Sequence, residues 1–400
     1  MRKRIFISMH YMEIGGAESA LMGLLKSFDY TNYDVDLFLY SHRGEMMQFI
    51  PKEVNLLPQI KEYAHIECPM KQALIDGCWG VLYGRLKAKW LTKKYMRKKG
   101  VTESAAGLQY VASYVSPYLP SLYQYGEYDL AISFLNPHNY VIDKVKAKKK
   151  ICWIHTDYTS IDINVEQELP VWNAYDHIVS ISPDVTMTFL RVFPSLKNKI
   201  IEMENIIPSE LVRERANEFD VSAEMPRNDN TINLLSVGRF CEAKNYDNVP
   251  DICSRILSSV STPVKWFIIG YGSEDKLIRE KIRESGMENN VILLGKKSNP
   301  YPYMKACDIY VQPSRYEGKS VTVREAQILC KPVVVTDYPT ASSQVNDGLD
   351  GVIVPMDNHG CAEGIVELIN DKKKQLAFIH YLETHDYGND NDFERLIKMV

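Results

Sequence analysis

Pro313-Ser314-Arg315-Tyr316-Glu317-Gly318-Lys319-Ser320 follows the apolar run 309–311, and residues 321–329 after it read as a helix. A strand that ends in a polar, glycine-containing loop and re-enters as a helix is the repeating unit of a parallel α/β sheet, and ligands of such sheets bind beyond the carboxyl ends of the strands. The amides of Gly318, Lys319 and Ser320 would face a phosphate at the start of that helix. Glu317 stands on the loop and Glu325 inside the helix, with seven residues between them. A carboxylate beside a phosphate is repelled, so it needs hydroxyls to bind. A sugar ring and a ribose supply them.

The same unit recurs outward from this stretch. β-Branched and aromatic runs at 5–8, 35–40, 130–134, 151–155, 178–181, 232–237, 266–269, 291–294, 309–311, 333–336 and 352–354 alternate with helical patterns. Strands in alternation with helices predict parallel sheets covered on both faces, the α/β class. Four hundred residues suffice for two such domains, each with its own core. Apolar periodicity fades between 206 and 230, ending in Pro226-Arg227-Asn228-Asp229-Asn230, which reads as a linker. The expected organisation is a first domain over 1–205, a linker over 206–230 and a second domain over 231–400. The last helix is a candidate to pack back on the first domain. Two doubly wound halves would then face a central cleft.

The chain is 45% hydrophobic and 24% charged, with a formal charge of -4, so nothing global points to nucleic acid. Its 8 cysteines form no Cys-x-x-Cys pair and read as reduced thiols of a cytoplasmic protein. The basic start followed by a short apolar run reads as a first strand and not as a signal peptide. No apolar stretch nears the roughly 20 residues that cross a bilayer. Residues 70–121 break the alternation with a helical insertion. Within it, 85–99 carries eight basic residues and no acid, interleaved with Leu86, Trp90, Leu91, Tyr95 and Met96. Two readings stand: a solvated helical face, or a basic helix lying on an anionic bilayer.

Two further loops lie at strand ends. Gly15 and Gly16 follow the run 5–8 and open a helix, giving close backbone approach and free amides. Val237-Gly238-Arg239 ends the run 232–237 and is followed by Lys244-Asn245. An arginine fork and a lysine point charge suit a diphosphate leaving group. Asp34-Val35-Asp36 has the look of a cation-binding pair, but on an alternating strand both acids should face solvent. No metal site is expected.

Taken in order, Gly15-Gly16, Val237-Gly238-Arg239, Lys244-Asn245, Gly270-Tyr271-Gly272, Leu294-Gly295, Glu317-Gly318 through Glu325-Ala326, and Lys331-Pro332-Val333-Val334 resemble the retaining glycosyltransferases of family four (glycosyl transferases group 1), of the bacterial surface-polysaccharide type. The resemblance implies the GT-B fold, two Rossmann-like domains with the donor held mainly by the second. It implies that Arg239 and Lys244 grip the diphosphate, Glu317 meets the transferred sugar and Glu325 the ribose. Gly238, Gly318, Lys319 and Ser320 would back the phosphates, and Lys296 would border the base. The Gly15-Gly16 loop would close over the donor. His155 would stand near the reacting sugar, or be a loop histidine satisfied by backbone. Asp157 and Tyr158 are candidates for acceptor contacts. The implied reaction moves a sugar from a nucleotide diphosphate donor, UDP first, to a glycan or lipid-linked glycan with retention, without metal or cofactor. It would serve capsule, exopolysaccharide or lipopolysaccharide synthesis at the inner face of the cytoplasmic membrane. Lys319, where the family commonly has an apolar residue, leaves the sugar open. An epimerase on the same fold would need an acid–base set, and none is left unused. A silent sugar-binding protein would not be expected to keep Arg239, Lys244, Glu317 and Glu325.

Overall fold

The computed structural model describes residues 2–158, 161–207, 209–227, 230–388, 393, 396 and 398. These divide into two compact units, one spanning Met1–Ile206 with Asn391–Val400, the other Ile207–Asp390. Asn228 and Asp229 of the expected linker lie outside the described residues, as does most of 389–400.

The first unit holds a seven-stranded sheet of β1 (Lys3–Met9), β2 (Tyr33–Leu39), β3 (Asn55–Leu56), β4 (Glu127–Ser133), β5 (Lys146–Ile154), β6 (His177–Ser180) and β7 (Ile200–Glu202). The order is β3-β2-β1-β4-β5-β6-β7 and neighbouring strands pair in parallel. The second holds β8 (Ile232–Val237), β9 (Val264–Ile269), β10 (Val291–Gly295), β11 (Ile309–Gln312), β12 (Val333–Thr336) and β13 (Gly351–Val354), ordered β10-β9-β8-β11-β12-β13. Each sheet reverses its strand order once, between β1 and β4 in the first and between β8 and β11 in the second. Both are Rossmann-like.

Covering on both faces explains the continuous apolar runs. In the second unit Leu235, Val237, Phe267 and Ile269 enter one core, while Leu234, Trp266 and Ile268 enter another on the opposite face. The indole of Trp266 donates to Ser236 Oγ at 2.9 Å, and that hydroxyl donates to Val311 O at 2.6 Å, so both buried side-chain donors are paired.

Three expectations need correction. Residues 206–230 are not a free linker: they carry the helix Ser209–Arg215, and Val212, Ala216, Val221 and Met225 are buried in the second unit's core. Asp36 does not face solvent; it is buried, accepting from Tyr128 Oη at 2.6 Å, Asn55 Nδ2 at 2.7 Å and Arg4 at 3.3 Å. These donors compensate the carboxylate where the alternation alone would have exposed it. β5 begins five residues before the apolar run, in Lys146-Ala147-Lys148-Lys149-Lys150, whose outer half stays partly exposed and takes ion pairs such as Lys148 to Asp129 at 2.6 Å. At the far end of the chain, Phe393 lies edge-on to Phe28 with ring centroids 4.8 Å apart, inside the first unit's core.

Candidate active site

In an open α/β sheet the ligand crevice lies where the strand order reverses, outside the carboxyl ends of the two strands flanking that point. In the second unit those strands are β8 and β11, and the loops leaving them are the two that carry Gly238, Arg239, Lys244 and Glu317. Lys244 Nζ meets Glu317 Oε1 at 2.5 Å, and both side chains are largely buried. The same oxygen accepts from Ser314 Oγ at 2.6 Å and Gln312 Nε2 at 2.9 Å, and Tyr310 Oη fixes that amide by donating to Gln312 Oε1 at 2.8 Å. Thr340 Oγ1 donates to the Glu317 carbonyl at 3.1 Å. Glu317 is therefore held from four sides. Arg239 stands exposed on the neighbouring loop.

The loop carrying Lys244 is tied to the one carrying Glu317. Arg315 forks onto Asp247 at 3.0 and 2.8 Å, and its amide donates to Ala243 O at 2.8 Å. Asn245 takes a left-handed conformation (φ 59°) that turns the chain after Lys244. Glycines let the third loop in: a Cβ on Gly270 would lie 1.9 Å from Gly238 O, and one on Gly238 would lie 2.7 Å from the Tyr246 hydroxyl. Gly270→Ala is accordingly expected to cost about 1–3 kcal/mol of stability by overpacking, measured by urea unfolding. No change there would mean that the loops do not pack this way in solution. Lys296 lies with Nζ 4.5 Å above the ring of Tyr271 on that loop.

Three of the expected site positions take a different form in the structure. The Ser320 amide already donates to Gln344 Oε1 at 3.1 Å, so this member of the expected anion-facing group is engaged within the chain. Glu325 is buried to 3% exposure and accepts from Tyr301 Oη at 2.7 Å. Burial pushes its carboxyl up to about 7, against the Tyr301 bond and the Arg215 charge. It sits inside the second core and not on an open surface. In the first unit, Gly15 caps the helix Gly16–Lys26, but Glu18 in the first turn reaches back to it, and a Cβ on Gly15 would lie 2.3 Å from that carboxylate. The chain's own acid stands where an anion was expected.

The reversal between β1 and β4 gathers a histidine cluster that the sequence reading largely missed. His10 follows β1, His138 lies beyond β4 and His155 follows β5. All three Nε2 atoms are buried with no hydrogen-bond partner among the described residues. His10 Nδ1 meets Glu67 Oε1 at 2.6 Å. Burial would raise the Glu67 carboxyl, yet the bond from His10 and the charges of His10, Arg43 and Arg85 hold it below its ordinary value. His138, with Nδ1 2.8 Å from Ser133 Oγ, is pushed down to about 3 by burial and by the charges of His155 and His10. Burial pushes His155 down to about 4, against a backbone bond at Phe134. Single histidines carry no period or spacing, so only the fold could bring them together. Asp157 is buried, and Tyr158 is no surface contact: it packs on Phe189 at 5.1 Å and donates to Glu168 at 3.3 Å.

Residues 218–385 match the family described as glycosyl transferases group 1. Over 153 residues, 38% of this chain and 41% of the relative, the chain is 29% identical to an N-acetylgalactosamine-N,N'-diacetylbacillosaminyl-diphospho-undecaprenol 4-alpha-N-acetylgalactosaminyltransferase of Campylobacter jejuni. Over 199 residues, 45% of this chain and 40% of the relative, it is 26% identical to a poly(ribitol-phosphate) alpha-N-acetylglucosaminyltransferase of Staphylococcus aureus. The chain thus spans about two fifths of the length of these curated relatives. Among solved structures, HepE of Anabaena in complex with UDP-glucose aligns at TM-score 0.66 and 15% identity, covering 99% of this chain and 98% of that one. WaaG, a glycosyltransferase involved in lipopolysaccharide biosynthesis, aligns at 0.67 and 13%, covering 99% of each. Residues 218–385 therefore belong to the glycosyl transferases group 1 family, in a chain with the two-domain fold of the GT-B glycosyltransferases.

Proposed function

We propose that this chain transfers a sugar from a nucleotide diphosphate donor, a UDP-sugar, to a glycan or lipid-linked glycan with retention of configuration. The observation that carries the reading is the Lys244–Glu317 pair, held by Gln312 and Ser314 where β8 and β11 part, beside exposed Arg239. In this reading Arg239 and Lys244 meet the diphosphate and Glu317 the sugar hydroxyls, while Glu325 stays buried against Tyr301. Relatives named for diphospho-undecaprenol and poly(ribitol-phosphate) acceptors support a lipid-linked or polymeric glycan as acceptor. Such an acceptor would place the enzyme at the inner face of the cytoplasmic membrane.

His155 bears on the stereochemistry. An inverting enzyme needs a base near the acceptor whose pKa suits the working pH, and a histidine held to about 4 is a weak one. In the retaining route the bond from the anomeric carbon to the leaving phosphate breaks, and the acceptor oxygen bonds on the same face. The acceptor proton passes to the departing phosphate oxygen. His155 and His138 then act as neutral hydrogen-bonding groups.

A UDP-sugar panel with and without glycan acceptor, followed by proton NMR of the new anomeric signal, tests this. An α donor is expected to give UDP and an α-linked product. A β product would overturn retention, and no UDP release from any donor would overturn the transferase reading. Because Arg239 and Lys244 supply the positive charge in this reading, turnover is expected to persist in excess EDTA. Complete loss restored by magnesium would show that the diphosphate is held differently.

A further inference from the structure

The helix Trp79–Lys99 turns its bulkiest apolar side chains outward. Val81, Gly84 and Ala88 are its buried residues, and a Cβ on Gly84 would lie 2.4 Å from Tyr114 O, so this face seats directly on the helix Ala106–Val115. At 3.6 residues per turn these three positions fall within an arc of about 60°. Trp79, Tyr83, Leu86 and Trp90 fall within another arc of about 60° on the opposite side. They are 64, 57, 52 and 61% exposed. Tyr118 extends the patch, its ring edge-on to Tyr83 at 6.0 Å. A helix packed on one side normally turns polar residues to water on the other. Single exposed apolar residues are common, but a contiguous stripe marks a contact surface.

Cations border the stripe on both sides. Lys87 and Lys94 fall on one flank, Lys89 and Lys93 on the other, and Arg97 continues its line, all exposed. Between 79 and 102 there is no Asp or Glu. Lys94 Nζ lies 5.4 Å from the Trp90 ring centre. A second copy of this chain would bring two such rows of cations together, so like charge opposes self-association, whereas an acidic surface satisfies both the stripe and its flanks.

We propose that this helix docks in the plane of an anionic lipid bilayer, with Trp79, Tyr83, Leu86 and Trp90 entering the headgroup layer and the flanking lysines over acidic lipid. The inference deepens the proposed function and rests on it for the purpose of the docking, which brings a lipid-linked acceptor within reach. The surface itself does not depend on that chemistry.

The test is co-sedimentation with vesicles of phosphatidylcholine alone and of phosphatidylcholine containing one third phosphatidylglycerol. Binding is expected to the acidic vesicles only, and to weaken as salt shortens the screening length. Lys89→Gln, Lys93→Gln and Lys94→Gln together should lower the partition coefficient on the order of 100-fold, at about 5-fold for each charge. Trp79→Ser with Trp90→Ser should lower it further at high salt, where charge is screened. All these side chains are exposed, and unchanged melting confirms that the variants fold. Binding that ignores charge and tryptophan alike, or no binding by the parent, overturns the docking. So does self-association in sedimentation velocity that Trp79→Ser and Trp90→Ser abolish, which would assign the stripe to a second copy. Stabilisation by UDP is measured in parallel. If UDP stabilises neither parent nor variants, the donor reading fails while the vesicle result stands on its own.

Discussion

Glu317→Gln lowers turnover by two or more orders of magnitude, the scale set by losing a charge-stabilising contact of about 2.7–4 kcal/mol. The amide keeps the shape and leaves Lys244 without its counter-charge. Lys244→Met produces the opposite imbalance, a carboxylate only 10% exposed with no cation beside it. Breaking a largely buried pair from one side costs about 3–5 kcal/mol, most of it the desolvation of the charge left behind. The double variant Lys244→Met, Glu317→Gln should therefore regain most of the stability lost by Lys244→Met and none of the turnover. Urea unfolding and UDP release across the four proteins of the cycle read both quantities. Turnover of Glu317→Gln within a few-fold of the parent would remove Glu317 from the chemistry. Additive stabilities would remove the ion pair.

This cycle matters because the pair leaves the second unit's positive charge unevenly distributed. Lys244 is neutralised at 2.5 Å, while Arg239 remains exposed. In the proposed reaction an arriving diphosphate competes with Glu317 for Lys244, and the carboxylate in turn gains sugar hydroxyls. Arg239→Ala should then weaken donor binding before it affects the fold, because Arg239 is exposed and the pair holding the two loops together does not include it.

The fold was legible where burial on both faces forced unbroken apolar runs, as in Ile232–Val237, every residue of which is buried. The loops that carry Lys244 and Glu317 stood out because glycines and charges cluster at strand ends there. What escaped was polar chemistry without a pattern. Asp36 is buried because Tyr128, Asn55 and Arg4 converge on it from distant positions, which no local alternation can announce. Tyr158 looked like a loop side chain and is core, because Trp172, Phe189 and Phe193 close around it. His10 and His138 stood alone in the sequence, and the pairing of β1 with β4 was needed to bring them to one end of the sheet.

Those histidines also set the response to acid. His155 and His138 have folded values of about 4 and about 3, below the ordinary 6.5, so the unfolded chain takes up protons first as pH falls. Stability contributed by the neutral imidazoles is complete above 6.5 and is lost as pH falls through that window, by about 3 kcal/mol for His155 alone at 1.36 kcal/mol per unit. Two buried acids work the other way. Glu325, raised to about 7, and Glu168, raised to about 6, are protonated in the folded chain before the unfolded one, so they add stability as pH falls toward 4.5. The parent's net pH profile therefore mixes opposing slopes, and the histidine contribution has to be read as a difference. His155→Gln with His138→Asn removes the loss and leaves the gain from the two glutamates. Urea midpoints of parent and variant taken from pH 7.5 to pH 4 should thus diverge on acidification, the parent falling behind by about 3 kcal/mol or more. Parallel profiles would mean that neither imidazole is held neutral in the folded chain, and with that the argument against His155 as a base would fail.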